Sequence, residues 1–185
     1  MSKITVLANE RAACLQLVDP LPEMWAEYQA FLDEFIAAGE EGILYNLPDE
    51  NGSLQECIRQ LKNHTEGFDR SSGCVPCSAY WLLSDEGTLI GEIHIRHRLT
   101  LALEEYGGHV GYMIRPGERG KGHATRMLAL GLEKARAMGL KGVIITCDPQ
   151  NAASIRVAMN NGGKPLNQSA SGVCRITCRY WIDLP

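Results

Sequence analysis

The stretch Ile114-Arg115-Pro116-Gly117-Glu118-Arg119-Gly120-Lys121-Gly122-His123-Ala124-Thr125 joins a segment that reads as a strand, His109 to Ile114, to one that reads as a helix. That helix, from about Thr125 to Met138, carries Met127, Leu128, Gly131, Ala135 and Met138 on one stripe, and Gly139 is placed to end it. A helix start offers unpaired backbone N–H groups and the positive end of the helix dipole. Gly120, Gly122 and Ala124 keep side chains out of the way of a diphosphate, and Arg119 and Lys121 supply charge to neutralise it. Two common nucleotide motifs do not fit. Lys121 is followed by Gly122 rather than Ser or Thr, and the dinucleotide fingerprint needs glycine where Thr125 stands. Taken alone, the loop also suits an ordinary glycine-rich turn.

Downstream, Val143 to Cys147 is a short, continuously apolar run, as expected of a strand covered on both faces. Asn151 is suited to cap a helix through Ile155, Ala158 and Met159 that stops at Asn161-Gly162-Gly163, and a last strand runs from about Val173 to Ile182. Upstream, Tyr80 to Leu83, the turn Ser84 to Gly87 and the run Thr88 to Arg98 form a hairpin signature. Further back, Pro22 to Ala38 reads as a helix, with Trp25, Tyr28, Phe31, Leu32, Phe35 and Ile36 at helical spacing. A weaker helix spans Ser53 to Asn63, and Ile4 to Leu7 reads as a first strand. The order describes a mixed α/β sheet with helices on both faces, in one domain over residues 1–185.

Here a family resemblance becomes specific. Arg119, Gly122 and Ala124 follow the order Gln or Arg, two residues, Gly, one residue, Gly or Ala. With the strand end Met113-Ile114 before it and an amphipathic helix after it, this resembles the cofactor motif of the GNAT superfamily of acyl-CoA-dependent N-acetyltransferases. Val143 to Cys147, then Asn151-Ala152-Ala153-Ser154 and the terminal Gly162-Gly163, resemble that family's next strand and helix. Gly107-Gly108-His109-Val110-Gly111-Tyr112 with Arg179-Tyr180-Trp181-Ile182 resembles a group of acetyltransferases within it that lack generally assigned substrates.

The resemblance covers Thr88 to Gly163 well. It implies a mostly antiparallel sheet of about six or seven strands, with a splayed parallel central pair that admits acetyl-CoA as cosubstrate. It also implies that Met113 and Ile114 meet the pantetheine arm through their backbone. Arg119, Gly120, Lys121, Gly122, His123, Ala124 and Thr125 take the pyrophosphate, and Asn151 and Ser154 meet the far end of the arm. The segment from about 20 to 75 forms the acceptor side, with Glu40 to Ser53 and His64 to Gly73 as variable walls.

The reaction so implied is transfer of an acetyl group to a primary amine of a small molecule or peptide by direct attack on the thioester. An alkyl amine with a pKa near ~10.4 is neutral in only about one molecule per few thousand at pH 7, so proton removal is needed. Many family members place a tyrosine seven residues after the asparagine as the acid; here Ala158 stands there. Tyr112, His109 and His97 form the shortlist of replacements, with Tyr112 and His109 on opposite faces of their strand. The alanine also motivates a second reading, a non-catalytic acyl-CoA-binding or sensor module.

Composition narrows the rest. A net charge of −4 argues against nucleic acid as partner. No apolar run has the length of a signal peptide's core or a membrane span, so a cytoplasmic location is expected, as a monomer or homodimer. Seven scattered cysteines suggest free thiols. Cys74 and Cys77 have the spacing of a metal or redox pair but no matching second pair, because Cys174 and Cys178 lie about 13 Å apart on an extended strand. No metal is therefore expected.

Overall fold

The computed structural model describes residues 15–40, 75–166, 169–170 and 176–185. The strand expected at Ile4 to Leu7, the helix expected at Ser53 to Asn63, both acceptor-side loops beyond Glu40, and Cys74 and Cys174 lie outside them. Two four-stranded sheets form the frame. In the first, β1 (Gln16–Val18), β2 (Cys77–Leu83), β3 (Leu89–Arg96) and β4 (Val110–Ile114) pair in that order, each antiparallel to its neighbour. In the second, β5 (Gly142–Cys147) pairs with β8 (Ile176–Asp183), whose other edge takes the short β6 (Lys164–Pro165) and β7 (Ser169–Ala170).

The helices follow from the apolar stripes. Pro22–Met24 makes a tight opening turn before α1 (Trp25–Ala37), which agrees with the preference of proline for a helix start. Tyr28, Phe31, Leu32 and Phe35 of α1 are buried against Trp81, Leu89 and Met113 on one face of the first sheet. Burying each phenylalanine stabilises the fold by roughly 2–3 kcal/mol. Ile36, by contrast, is 44% exposed and is not part of the buried stripe. On the opposite face, α3 (His123–Ala137) sets Met127, Leu128, Gly131 and Ala135 against Ile93 and Ile95. A Cβ at Gly131 would lie 2.6 Å from the end of Ile93, so glycine sets how closely the helix approaches. After β5, α4 (Ala152–Asn160) begins at Asn151, whose side chain accepts the Ser154 N–H at 3.0 Å.

One helix was not anticipated. The segment α2 (Leu101–Tyr106) starts at Thr100, whose hydroxyl caps the Leu103 N–H. With Leu101 83% exposed, it has no continuous buried stripe that periodicity would reveal. It is held instead from outside: the Thr177 hydroxyl on β8 donates to the Glu105 carbonyl at 2.9 Å.

The two sheets meet where β4 and β5 run side by side in the same direction. His109 makes the join. Its backbone N–H donates to the Ile144 carbonyl at 2.7 Å, and its ring Nδ1 accepts the Ile144 N–H at 3.0 Å. The imidazole therefore stands in for a strand carbonyl. Gly108 before it has φ +62°, and a Cβ there would lie 2.5 Å from the Ile144 carbonyl oxygen, so only glycine lets the chain pass. Beyond this hinge β4 and β5 share no ladder, as the expected splay requires.

Candidate active site

The splay opens onto a cavity of about 580 Å³, lined by β4, the loop after it, the first turn of α3, one face of α4 along its length, and Glu40. Most residues assigned to the cofactor from sequence line it: Met113, Ile114, Arg119, Gly120, Gly122, His123, Ala124, Thr125, Asn151 and Ser154. Lys121 does not; it turns to Glu118, 3.0 Å away, on the exposed surface.

The loop has the form an anion needs. Gly120 and Gly122 adopt φ +78° and +84°, with no atom within 4 Å of a Cβ built on either. Gly122 is the residue before α3 and caps nothing with a side chain. Among the described residues, the amides of Gly122 to Thr125 have no acceptor, leaving a row of donors at the positive end of a helix. The loop is tied down on the other side. Arg115, 8% exposed, pairs with Glu27 at 2.7 Å and Glu34 at 2.9 Å on α1, and Asn161 Nδ2 donates to the carbonyls of Thr125 and Val157.

Arg119 is not the free cation that the sequence suggests. Its guanidinium grips both carboxylate oxygens of Glu40 at 2.7 and 2.6 Å, its Nε donates to the Ile114 carbonyl, and it lies over the Phe35 ring. The Glu40 partner holds the Arg119 pKa above its usual value. His123 faces Glu118 at 3.2 Å. The backbone amides are thus left without partners among the described residues, whereas these side chains are already compensated.

A second cavity, about 510 Å³, opens beside the hinge between β4, β5 and α2. Tyr112 and Ser154 line both cavities and so stand between them. The Tyr112 hydroxyl is buried and makes no hydrogen bond of good geometry. Burial raises its pKa, an effect that the nearby Ser154 hydroxyl only partly offsets, so the phenol keeps its proton at neutral pH.

The other two members of the acid–base shortlist have structural work. His109 is engaged with Ile144, lines neither cavity, and has its pKa lowered by burial and by the charge of Arg96. A neutral ring is what its acceptor role demands. His97 hydrogen-bonds Ser78 at 2.8 Å, with its pKa also lowered by burial, and lines neither cavity. Ala158 is fully buried in the core while Ser154, Val157 and Asn160 line the first cavity, so this turn of α4 aims position 158 away from the site.

Sequence reasoning passed over a buried polar group on the α1 face. Glu92, 1% exposed, accepts from the Trp81 indole at 3.0 Å and contacts the His94 ring. For His94, burial alone would lower the pKa, but hydrogen bonds with Cys77 and Glu92 and the Glu92 charge outweigh it and raise it to about 9. Glu92 and His94 share strand parity with Arg96, which was the available signal, but alternation cannot say that a carboxylate is sealed in.

The acetyltransferase (GNAT) domain family matches residues 24–164. This chain belongs to the GNAT acetyltransferase family. Its members are acyl-CoA-dependent transferases, and the GNAT fold is shared with solved structures at low identity. One is the Salmonella typhimurium protein yncA with its cofactor acetyl-CoA, at 16% identity and TM-score 0.60, covering 92% of this chain and 94% of that one. Another is Mycobacterium smegmatis RimJ in complex with CoA-disulfide, at 17% identity and TM-score 0.64, covering 91% and 81%. A third is a variant of the Vibrio cholerae spermidine N-acetyltransferase SpeG, at 12% identity and TM-score 0.60, covering 92% and 94%. No curated protein matches the sequence. Among the described residues of this GNAT domain, no helix is long and apolar enough to cross a membrane, and no cluster of metal-ligating side chains is present.

Proposed function

We propose that this GNAT protein transfers the acetyl group of acetyl-CoA to a primary amine of a small molecule or peptide by direct attack. The observation that carries this reading is the pair of cavities with Tyr112 and Ser154 between them. The first cavity fits acetyl-CoA: its glycines leave the approach open, and the amides at the start of α3 suit a diphosphate. The second cavity takes the amine. Acetyl-CoA, when bound, supplies the thioester whose acyl carbon accepts the amine and whose sulfur leaves.

The chain's own residues divide the remaining work. Gly122 to Thr125 bind phosphate through their amides, and the backbone of Met113 and Ile114 lines the path of the pantetheine arm. Asn151 caps α4 and so fixes Ser154 between the cavities. Tyr112 holds a proton where the sulfur departs and regains it from solvent afterwards. It thereby takes the acid role that family members give to a tyrosine on the helix where this chain has Ala158. Among the described residues no carboxylate lines the second cavity, so the proton shed by the amine leaves through water. The position of Tyr112 supports transfer over the binding-only reading that Ala158 motivates, and turnover of any amine is the measurement that separates the two. Gly122→Glu places a carboxylate at the row of amides and is expected to abolish acetyl-CoA binding in calorimetry; unchanged affinity would remove the loop from the site.

A further inference from the structure

The second cavity holds a charge that nothing in the reaction above uses. Its walls mix apolar side chains, Leu103 from α2, Val110 from β4 and Ile145 from β5, with the hydroxyls of Tyr112, Thr146 and Ser154, and the charged residue among them is Arg96. Arg96 Nη1 spends its two hydrogens on the carbonyls of Gly107 and Gly108, each at 3.0 Å. That anchors the guanidinium at the hinge and fixes its plane. Nε and Nη2 have no partner among the described residues, and no carboxylate among them pairs with it. What remains is a fork of parallel N–H donors of the shape that a carboxylate or phosphate takes in two-point contact. The uncompensated charge is felt next door, where it helps to lower the His109 pKa.

A second guanidinium lies behind the lining residues, one strand further from the hinge. Thr146 lines the cavity, and its register partner on β8 is Arg179, so the two side chains leave the same face of the sheet. Arg179 Nε is buried and unpartnered among the described residues. The acids of α2, Glu104 and Glu105, are not among the lining residues. A cavity with a fixed arginine fork and, among the described residues, no carboxylate in its lining repels a polycation. It also disfavours the ammonium form of a bound amine, which helps attack by the neutral form.

We infer that the amine acceptor carries an anionic group, as an amino acid does, and that Arg96 binds that group in the cavity beside the hinge. This rests on the acetyl-transfer reading for the identity of the ligand as acceptor, but the anion site itself is tested by binding.

The test uses the full chain and pairs of amines that differ only in the anion. L-phenylalanine against phenethylamine, L-leucine against isopentylamine and L-ornithine against putrescine probe a carboxylate; phosphoethanolamine against ethanolamine probes a phosphate. Binding is measured by calorimetry with CoA present, and kcat/KM by thiol release with acetyl-CoA. At least one anionic member is expected to bind and turn over tenfold or more better than its partner. Arg96→Met should level that pair in binding and in kcat/KM, and acetyl-CoA affinity within a few fold of wild type shows that the variant is folded. Arg96→Lys should restore part of the preference. Equal treatment of every pair by the wild-type protein, preference for the anion-free members, or binding of none of them would overturn the anion site. Preference in binding with no turnover would uphold that site and remove acetyl transfer instead.

Discussion

Replacing Tyr112 by phenylalanine separates catalysis from stability in opposite directions. The phenol is buried between the cavities with no well-formed hydrogen bond, so its hydroxyl has lost water for no more than a poorly aligned contact with Ser154. Leaving a buried polar group unsatisfied costs about 1–3 kcal/mol. Removing the oxygen while keeping the ring should therefore raise stability by about 1 kcal/mol, or roughly 2–4 °C in Tm for a chain of this size. The same oxygen is the proposed proton donor, and a positioned acid contributes about 10²–10⁴ in rate. A fall in kcat of about a hundredfold or more, equivalent to about 2.7 kcal/mol in the barrier, is expected with acetyl-CoA affinity unchanged. Scanning calorimetry, thiol release at saturating amine and acetyl-CoA titration measure the three quantities. An unchanged kcat would refute the donor role. A drop in Tm would show that Ser154 holds the hydroxyl in a real bond, refuting the argument from an orphaned group. Because burial raises the Tyr112 pKa, the alkaline limb of the kcat profile should lie above the usual tyrosine value near ~10 and vanish in the variant.

The hinge and the buried pair give further tests. Gly108→Ala puts a Cβ against the Ile144 carbonyl at a positive φ, and thermal melts should show a loss of at least about 2 kcal/mol. His94 has its folded pKa raised to about 9, so its stabilising contribution is complete below the unfolded value near ~6.5 and disappears as pH rises through 9. Denaturant midpoints should accordingly decline from pH 6.5 to 9 by up to about 3 kcal/mol in unfolding free energy, and Glu92→Gln should flatten much of that slope. Glu40→Gln frees Arg119 from an exposed ion pair of the kind worth about 0.2–1 kcal/mol, so acetyl-CoA affinity in calorimetry should rise by up to about fivefold.

Much of the lining of the first cavity is legible in the sequence because it is local. The glycines at 120 and 122, the apolar stripe of α3 and the Asn151 cap lie close in the chain and act through backbone geometry, which residue type reports directly. What the sequence hides depends on distant partners. Arg119 reads as a free cation until Glu40 is seen on its Nη1 and Nη2. His109 reads as a titrating base until its ring is found completing a backbone ladder. Strand parity separates Tyr112 from His109 correctly, but cannot say which face meets both cavities. The role of Arg96 depends on α2, a short segment held by Thr177 from the far end of the chain.

The splay has a consequence for the behaviour of this protein in a crowded solution. An open strand edge ordinarily invites other chains to add on, and proteins guard such edges with charges, bulges or covering segments. Here β4 and β5 each end their sheet, yet their bare edges face one another inside the molecule, joined at His109 and flanked by α3, α4 and α2. The gap proposed to admit acetyl-CoA thus also keeps two bare edges turned inward, and a change that tore the hinge apart would expose two adhesive edges at once.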